Sequence, residues 1–125
     1  MRDIKESDWK IFKRLREIAL ERFCERVLNE VARISSDSAK SQHERYLAIH
    51  RLIRDRDREI EPIFDYLRRS TAVRQIRTFR SHDLLTAEEL RQFSPELAKS
   101  VEDILEIYDR PLEVVDEDDP GSAAR

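Results

Sequence analysis

The sequence predicts an all-α protein: a long antiparallel helical hairpin with shorter C-terminal helices, expected to complete a helical bundle by dimerisation. Three observations favour this fold class. Charged residues make up 41% of the 125 residues, against about 25% in ordinary soluble domains. The only glycine is Gly121, so the positive φ angles that tight β-hairpin turns require are largely unavailable. Apolar residues recur at steps of three and four along two long segments, which is typical of amphipathic helices.

The first predicted helix begins near Ser7, whose hydroxyl can cap the opening turn, and Asp8 is favourable beside the positive helix end. From Leu20 onward the apolar residues alternate in steps of four and three, a pattern typical of a seam between two helices. This seam consists of Leu20, Cys24, Val27, Val31 and Ile34. Cys24 is accordingly expected to be a packed, inert thiol. Residues 35–38, Ser-Ser-Asp-Ser, favour a turn because such side chains bond to their own backbone.

The second predicted helix begins after Ser41, which can form a capping box with Glu44, and extends to Arg69. Its apolar stripe consists of Tyr46, Ile49, Ile53, Ile60, Ile63 and Leu67. Arg56 occupies one step of this stripe, and two interpretations stay open. It fixes the register or oligomeric state of the helices, or its stem lies along the seam with its charged head in water. Pro62 is expected to kink this helix rather than break it, because the stripe keeps its phase on both sides.

Three shorter helical segments are predicted after the second helix. The first carries an apolar face composed of Ala72, Val73, Ile76 and Phe79. Thr86 and Glu89 then form a second capping box, with a hydrophobic staple between Leu85 and Leu90. Ser94 and Pro95 begin the last helix. Its predicted buried stripe is Leu97, Val101, Ile104, Leu105 and Tyr108.

Two long amphipathic segments joined by a short turn fold most simply into an antiparallel hairpin, which buries little on its own. The C-terminal helices can cover one side of it. A second copy is expected to cover the other, since the two-fold dimer is the commonest oligomer. The predicted self-association seam consists of Leu20, Val27, Val31, Ile34, Tyr46, Ile49, Ile53, Arg56 and Ile60. We expect residues 1–111 to form one helical domain and residues 112–125 to form an acidic, disordered tail.

A basic segment covers residues 66–82, which contain five arginines and no acidic residue. The arginines are Arg68, Arg69, Arg74, Arg77 and Arg80. Because guanidinium groups suit phosphate, they form a candidate anion or nucleic-acid surface. The structural alternative is that the first two complement a negative helix end, and that the other three pair with acidic residues of the last helix, namely Glu102, Asp103 and Glu106. This alternative is favoured because a net charge of −3 disfavours a polyanionic partner.

The sequence contains no recognisable catalytic or cofactor-binding motif. Phosphate-binding loops of the P-loop and Rossmann types need glycines, which the chain lacks before Gly121. The single cysteine excludes an intramolecular disulfide and a cysteine-based zinc site. His43 and His50 have Leu47 and Arg54 four residues further on, where a helical metal site would need a ligand. We therefore expect no enzymatic activity, no cofactor and no metal.

The predicted function is a non-catalytic protein–protein interaction or scaffolding module that self-associates through its long helices. Its partners would be a second copy and an unidentified protein. No apolar segment approaches the ~18–20 residues that span a bilayer, and the polar N-terminus lacks a signal-peptide pattern. A cytoplasmic protein without a membrane partner is therefore expected. The alternative function is a nucleic-acid-binding or regulatory protein that uses the segment from Arg68 to Arg80.

Overall fold

The structure is a computed structural model that describes residues 4–65 and 67–108, with the backbone alone described for residues 104–108. Within these residues the chain forms α-helices and no β-strand, so the all-α prediction is confirmed. The helices are α1 (Glu6–Ser35), α2 (Gln42–Phe64), α3 (Ala72–Ser81), α4 (Ala87–Leu90) and α5 (Pro95–Tyr108), with a 3₁₀ turn over Arg69–Thr71. The predicted tail at residues 112–125 lies outside the described residues, as do the predicted stripe side chains of Ile104, Leu105 and Tyr108.

Helix α1 begins at Glu6, and its N-cap, Lys5, makes no side-chain hydrogen bond to the helix. Ser7 is therefore inside the helix rather than its cap. Asp8 is buried, and its carboxylate accepts hydrogen bonds from the backbone N–H and the hydroxyl of Ser94, at 2.8 and 2.7 Å. The first turn of α1 is thus fixed by a contact with the N-terminus of α5 rather than by a local cap.

Helix α2 begins at the predicted capping box, which is confirmed: Ser41 Oγ accepts from the N–H of Glu44, and the Glu44 carboxylate accepts from the N–H of Ser41. The helix ends at Phe64, two residues beyond Pro62. The prediction that it continues to Arg69 is therefore wrong, whereas the expectation that Pro62 does not break the helix agrees with its place inside α2. The last residue of the predicted stripe, Leu67, lies outside the helix and is exposed.

Side chains from two other helices hold the end of α2. Arg16 of α1 donates a hydrogen bond to the carbonyl of Phe64, and Gln75 of α3 donates to the carbonyl of Ile63 at 3.2 Å. Both carbonyls belong to the last turn, whose acceptors have no partner within the helix. Because these donors are distant along the chain, the residues around Pro62 alone do not reveal where the helix ends.

The hydrophobic core lies at one end of the molecule, which we call the base (residues 4–23, 62–65 and 67–103). Its largest fully buried side chains are Phe12, Leu15, Ile76, Phe79, Leu84, Leu85, Leu90 and Val101. Phe79 stacks on Phe64 and on Phe12, with ring centroids 5.1 and 6.1 Å apart. The predicted apolar face of α3 is buried, and the predicted capping box of Thr86 and Glu89 is present. Local periodicity therefore identified much of this core.

The remaining two-helix extension, which we call the arm (residues 24–61), has no core of its own. No residue from Leu20 to Pro62 is buried. The two helices contact each other in reverse chain order, since Arg45 donates to the carbonyl of Ser35 at 2.7 Å and Arg56 pairs with Glu30 at 3.3 Å. This is the order that antiparallel packing of consecutive helices produces. The turn at residues 36–41 forms the tip of the arm.

The face of α2 that meets α1 differs from the predicted stripe. Its half-buried residues are Arg45, Ala48, Ile49, Leu52, Arg56 and Ile60. Tyr46 and Ile53, which were predicted to lie in the seam, are 68% and 39% exposed. Cys24 of α1 is also exposed, so the prediction that it is packed is wrong. The apolar pattern is wider than the contact that one neighbouring helix can provide, and it leaves one edge uncovered.

Candidate interaction surface

An exposed apolar surface follows one side of the arm. Leu28 of α1 is 64% exposed, and the exposed Cys24 shares its helix face because four residues make about one turn. Tyr46 and Ile53 of α2 likewise share a face at a spacing of seven residues. Single exposed apolar side chains are normal on a protein surface, whereas a contiguous group marks a site of interaction. We call this group, with the half-buried Ile49 between its members, the arm face.

The exposed strips of the two helices lie on the same side of the arm. A shallow groove of about 410 Å³ near the tip is lined by Ser35 of α1 and by Tyr46 and Ile49 of α2. Ser35 lies seven residues after Leu28, and Ile53 lies seven residues after Tyr46, so each pair shares a helix face. The groove therefore connects the two strips into one surface.

The other predicted seam residues lie between the helices rather than on the arm face. Val27, Val31 and Ile34 of α1 are half-buried, and Leu20 packs against the edge of the core of the base together with Ile60 of α2. These residues join the two helices to each other and to the base. The predicted self-association seam therefore divides into an intrachain part and the exposed arm face.

Arg56 lies in the contact between the two helices. Its Nε is 3.3 Å from Glu30 Oε1 of α1, and its Nη1 donates to Glu59 Oε2 of its own helix. Of the two interpretations left open by the sequence, this cross-helix ion pair favours a role in fixing register, here between α1 and α2 of one chain. A polar groove of about 490 Å³ borders the pair, and its lining mixes three arginines with two glutamates.

The net charge of the arm changes sign between the base and the tip. The distal part, residues 31–54, carries five basic and two acidic side chains, a net charge of +3. The proximal segments, residues 24–30 and 55–61, together carry six acidic and three basic side chains, a net charge of −3. One of the proximal bases, Arg26, donates hydrogen bonds to the carbonyls of His82 and Asp83. The accessible charge near the base is therefore mainly acidic.

Two arginines of the predicted anion surface have structural roles in the base. Arg69 is half-buried, pairs with Glu6 and lies over the ring of Trp9, 5.7 Å from its centroid. Arg80 is also half-buried and donates to the carbonyl of Leu85 at 3.4 Å. These two guanidinium groups hold parts of the base together and do not form an open anion surface.

The other three arginines lie nearer to solvent. Arg68 and Arg74 are exposed and Arg77 is half-buried. In the part of the chain that the structure describes, the side chains of Arg74 and Arg77 form no hydrogen bond or ion pair. The predicted pairing with α5 is not found there: Glu102 pairs with none of them, and Asp103 pairs with Lys99 at 3.1 Å. The third predicted partner, Glu106, has a side chain outside the described part.

A bidentate ion pair joins α1, at the end of the base nearest the arm, to α4. Arg22 and Glu89 form a bidentate pair, with Nη1–Oε1 and Nη2–Oε2 distances of 2.7 Å. These hydrogen bonds lower the pKa of Glu89 to about 2, against the opposing effect of burial and with help from the backbone N–H of Thr86. The capping box identified Glu89 from the sequence, whereas no local pattern identified Arg22 as its partner.

Among the described residues, no three His, Cys, Asp or Glu side chains are grouped so that they could hold a metal ion. None of the described helices combines the length and the apolar character needed to cross a membrane. Comparison with protein-family models, curated proteins and solved structures finds no match to this chain.

Proposed function

We propose that this protein is a non-catalytic protein–protein interaction module that self-associates through its long helices, with the arm as its binding element. The observation that carries this proposal is the unequal burial of apolar residues. The base has a hydrophobic core of buried side chains, while no side chain from Leu20 to Pro62 is buried. Helices take most of their stability from the packing of an apolar face. An arm with one uncovered face is therefore stabilised when another molecule covers it.

The free energy gained by burying the exposed apolar side chains supports self-association. Complete burial of a large apolar side chain contributes about 1.5–3 kcal/mol. Two copies would bring together six such side chains if each contributed Leu28, Tyr46 and Ile53. Because these side chains are 64%, 68% and 39% exposed in one chain, only those fractions remain to be covered, and the combined gain is about 5–10 kcal/mol. This gain is of the same order as the cost of association, which is about 4–15 kcal/mol, so we expect a weak dimer that forms in a concentration-dependent way.

Substitution of the arm face tests this function. We expect the double substitution Leu28→Asp and Ile53→Asp to convert a dimer into a monomer, because it places charges in the contact. Leu47→Asp is the matched control, since Leu47 is also exposed but lies on another face of α2. The molar mass from light scattering is compared at equal concentration, and circular dichroism checks that each variant stays helical. Equal loss of association in both variants would contradict the proposal.

The exposed thiol bears on the location of the protein. Cys24 is the single cysteine of the chain and is exposed. Disulfides are the usual stabilising device of small proteins in oxidising compartments, and this chain cannot form an intramolecular one. We propose a cytoplasmic location on this ground.

A second candidate function is nucleic-acid binding through α3. The observation that favours it is that Arg74 and Arg77 have no described side-chain partner, next to the exposed Arg68. We expect a salt-dependent mobility shift of labelled DNA or RNA that is lost on Arg74→Glu with Arg77→Glu. Lys10→Glu with Lys40→Glu changes the net charge equally, away from α3, and serves as the control. The absence of binding at low salt would exclude this function.

A further inference from the structure

We propose that the acidic segment, residues 113–119, docks on the solvent face of α3 in its own chain, where Arg74 and Arg77 bind its carboxylates. The segment contains five acidic residues and no basic residue, and it lies outside the described residues. Three observations carry the inference: the charge on α3, the element from which the segment continues, and the spacing of the charges on both sides. The inference concerns α3 rather than the arm, so it goes beyond the proposed self-association and does not depend on it.

Two arginines give the solvent face of α3 a positive charge that no described residue neutralises. Arg74 is exposed and Arg77 is half-buried, and their side chains form no hydrogen bond or ion pair within the described part of the chain. Residues 66–82 contain five arginines and no acidic residue, and extending this window to residues 65–83 still leaves a net charge of +3. The positive charge of α3 therefore does not depend on where the limits of the window are set.

The acidic segment continues from the helix that packs against α3. Helix α5 contacts α3, and its backbone is described as far as Tyr108. The eight residues from Tyr108 to Asp116 span up to about 28 Å when extended. Helix α3 is about 15 Å long, and packed helices lie about 8–10 Å apart. The connection is therefore long enough for the acidic segment to reach the solvent face of α3.

This connection also selects the acidic segment over a separate acidic molecule. A group joined by a short connection acts at an effective concentration in the millimolar range. A separate partner at micromolar concentration would need an affinity about a thousandfold higher to displace it. The segment also meets fewer like charges on α3 than on α2, where residues 54–59 alternate basic and acidic side chains. We therefore assign the solvent face of α3 to the acidic segment of the same chain.

The spacing of the charges on the two sides is similar. Side chains three residues apart on a helix, such as Arg74 and Arg77, lie about 5–6 Å apart at their Cβ atoms. Side chains two residues apart in an extended segment point to the same side and lie about 6.6 Å apart. Residues 116–119 are all acidic, so such a segment has one acidic pair on each side. Either pair can accept charge-assisted hydrogen bonds from both guanidinium groups.

Paramagnetic broadening of amide signals tests the docking in the full chain. The labelled variant carries Cys24→Ser, which removes the native thiol, and Ser122→Cys, which places a nitroxide three residues after the acidic segment. Docking predicts that the amide signals of α3 broaden more than those of the tip of the arm. We expect the broadening at α3 to fall about twofold or more between about 10 mM and 1 M salt, because the Debye length shortens from about 30 to about 3 Å.

Charge reversal on α3 provides the matched comparison. Arg74→Glu with Arg77→Glu should reduce the broadening at α3 to its high-salt level. Lys10→Glu with Lys40→Glu changes the net charge equally at exposed positions and should leave the broadening unchanged, while circular dichroism checks that both variants stay helical. Broadening at α3 that responds neither to salt nor to the α3 substitutions would reflect the connection alone and would overturn the docking. Stronger broadening at any other surface would overturn it as well.

Exchange of the charges tests the contact from the other side. Four lysines make the acidic segment basic in the chain that carries Arg74→Glu and Arg77→Glu, and the salt-dependent broadening at α3 should return. The four substitutions are Asp116→Lys, Glu117→Lys, Asp118→Lys and Asp119→Lys. Broadening that stays at the high-salt level in this chain would contradict the proposed pairing.

A mixture of chains separates docking within one chain from docking between copies. Spin-labelled chain without isotope enrichment is mixed with an equal amount of ¹⁵N-enriched chain that carries no label. Docking within one chain predicts no broadening at α3 of the enriched chain, and broadening there would overturn the proposal in favour of a second copy. Because no nucleic acid is present, the outcome is independent of the second candidate function, in which a polyanion would compete with the acidic segment for α3.

Discussion

At the scale of single residues, Glu89 shows how one side chain can serve a local and a distant contact. Its carboxylate accepts from the N–H of Thr86 at 2.9 Å, which completes the capping box of α4. It also forms the bidentate pair with Arg22 of α1. The Glu89 side chain is 16% exposed, so solvent screens this pair less than it screens the ion pairs on the arm. The pair therefore holds the short helix α4 against α1.

The lowered pKa of Glu89 predicts a pH-dependent contribution to stability. The pKa is about 2 in the folded chain and about 4.3 for an ordinary glutamate. A lowered folded-state pKa stabilises the protein above the unfolded-state value, and this contribution is lost as the pH falls through the folded-state value. We expect Glu89→Gln to reduce the free energy of unfolding by about 1–3 kcal/mol at pH 7 and by much less at pH 2.

Urea unfolding at a series of pH values measures this difference. Glu88→Gln is the matched control, because Glu88 is the exposed neighbour in the same helix. The free energy of unfolding of Glu88→Gln should differ little from that of the unsubstituted chain at any pH. A cost for Glu89→Gln that does not change between pH 7 and pH 2 would contradict the ion-pair explanation.

At the scale of secondary-structure elements, the end of α2 is set by tertiary contacts. Arg16 and Gln75 donate to the carbonyls of Phe64 and Ile63, and the chain then leaves the helical path. Arg16 also lies over the ring of Phe64, 5.8 Å from its centroid. The turn between α2 and α3 therefore depends on side chains of α1 and α3. This arrangement brings the last turn of α2 into the base and directs the rest of α2 along the arm.

Removal of the Arg16 guanidinium tests this explanation. We expect Arg16→Met, which keeps most of the aliphatic stem, to reduce the free energy of unfolding by about 1.5–3 kcal/mol, because a hydrogen bond from a charged donor is lost. Lys10→Met is the control in the same helix, at an exposed position. Urea unfolding compares the two variants with the unsubstituted chain. Equal, small reductions in the free energy of unfolding of the two variants would show that the carbonyl contact does not hold the end of α2.

Local patterns in the sequence predicted part of this structure. Both capping boxes, the buried face of α3 and the start of α5 depend on residues within one or two helical turns, and all were identified. The end of α2, the partner of Glu89 and the exposure of Cys24 and Tyr46 depend on which distant element covers each position. Periodicity shows that a helix has an apolar side, but it does not show how much of that side a neighbour covers. The candidate surface was therefore found only in part.

At the scale of the whole molecule, the chain combines a base that has its own core with an arm that does not. The aromatic stack of Phe12, Phe79 and Phe64 lies in the base, and the most exposed large apolar side chains, Leu28 and Tyr46, lie on the arm. On the proposed function, this division gives stability to the base and interaction to the arm. Changes on the arm face should therefore affect association more than folding.

The molar mass of the unsubstituted chain, measured by sedimentation equilibrium over a range of micromolar concentrations, tests the central claim most directly. The account predicts a reversible, concentration-dependent approach to twice the 15.0 kDa mass of one chain. A mass that stays at that of a single chain throughout, with the arm helices intact by circular dichroism, would contradict it.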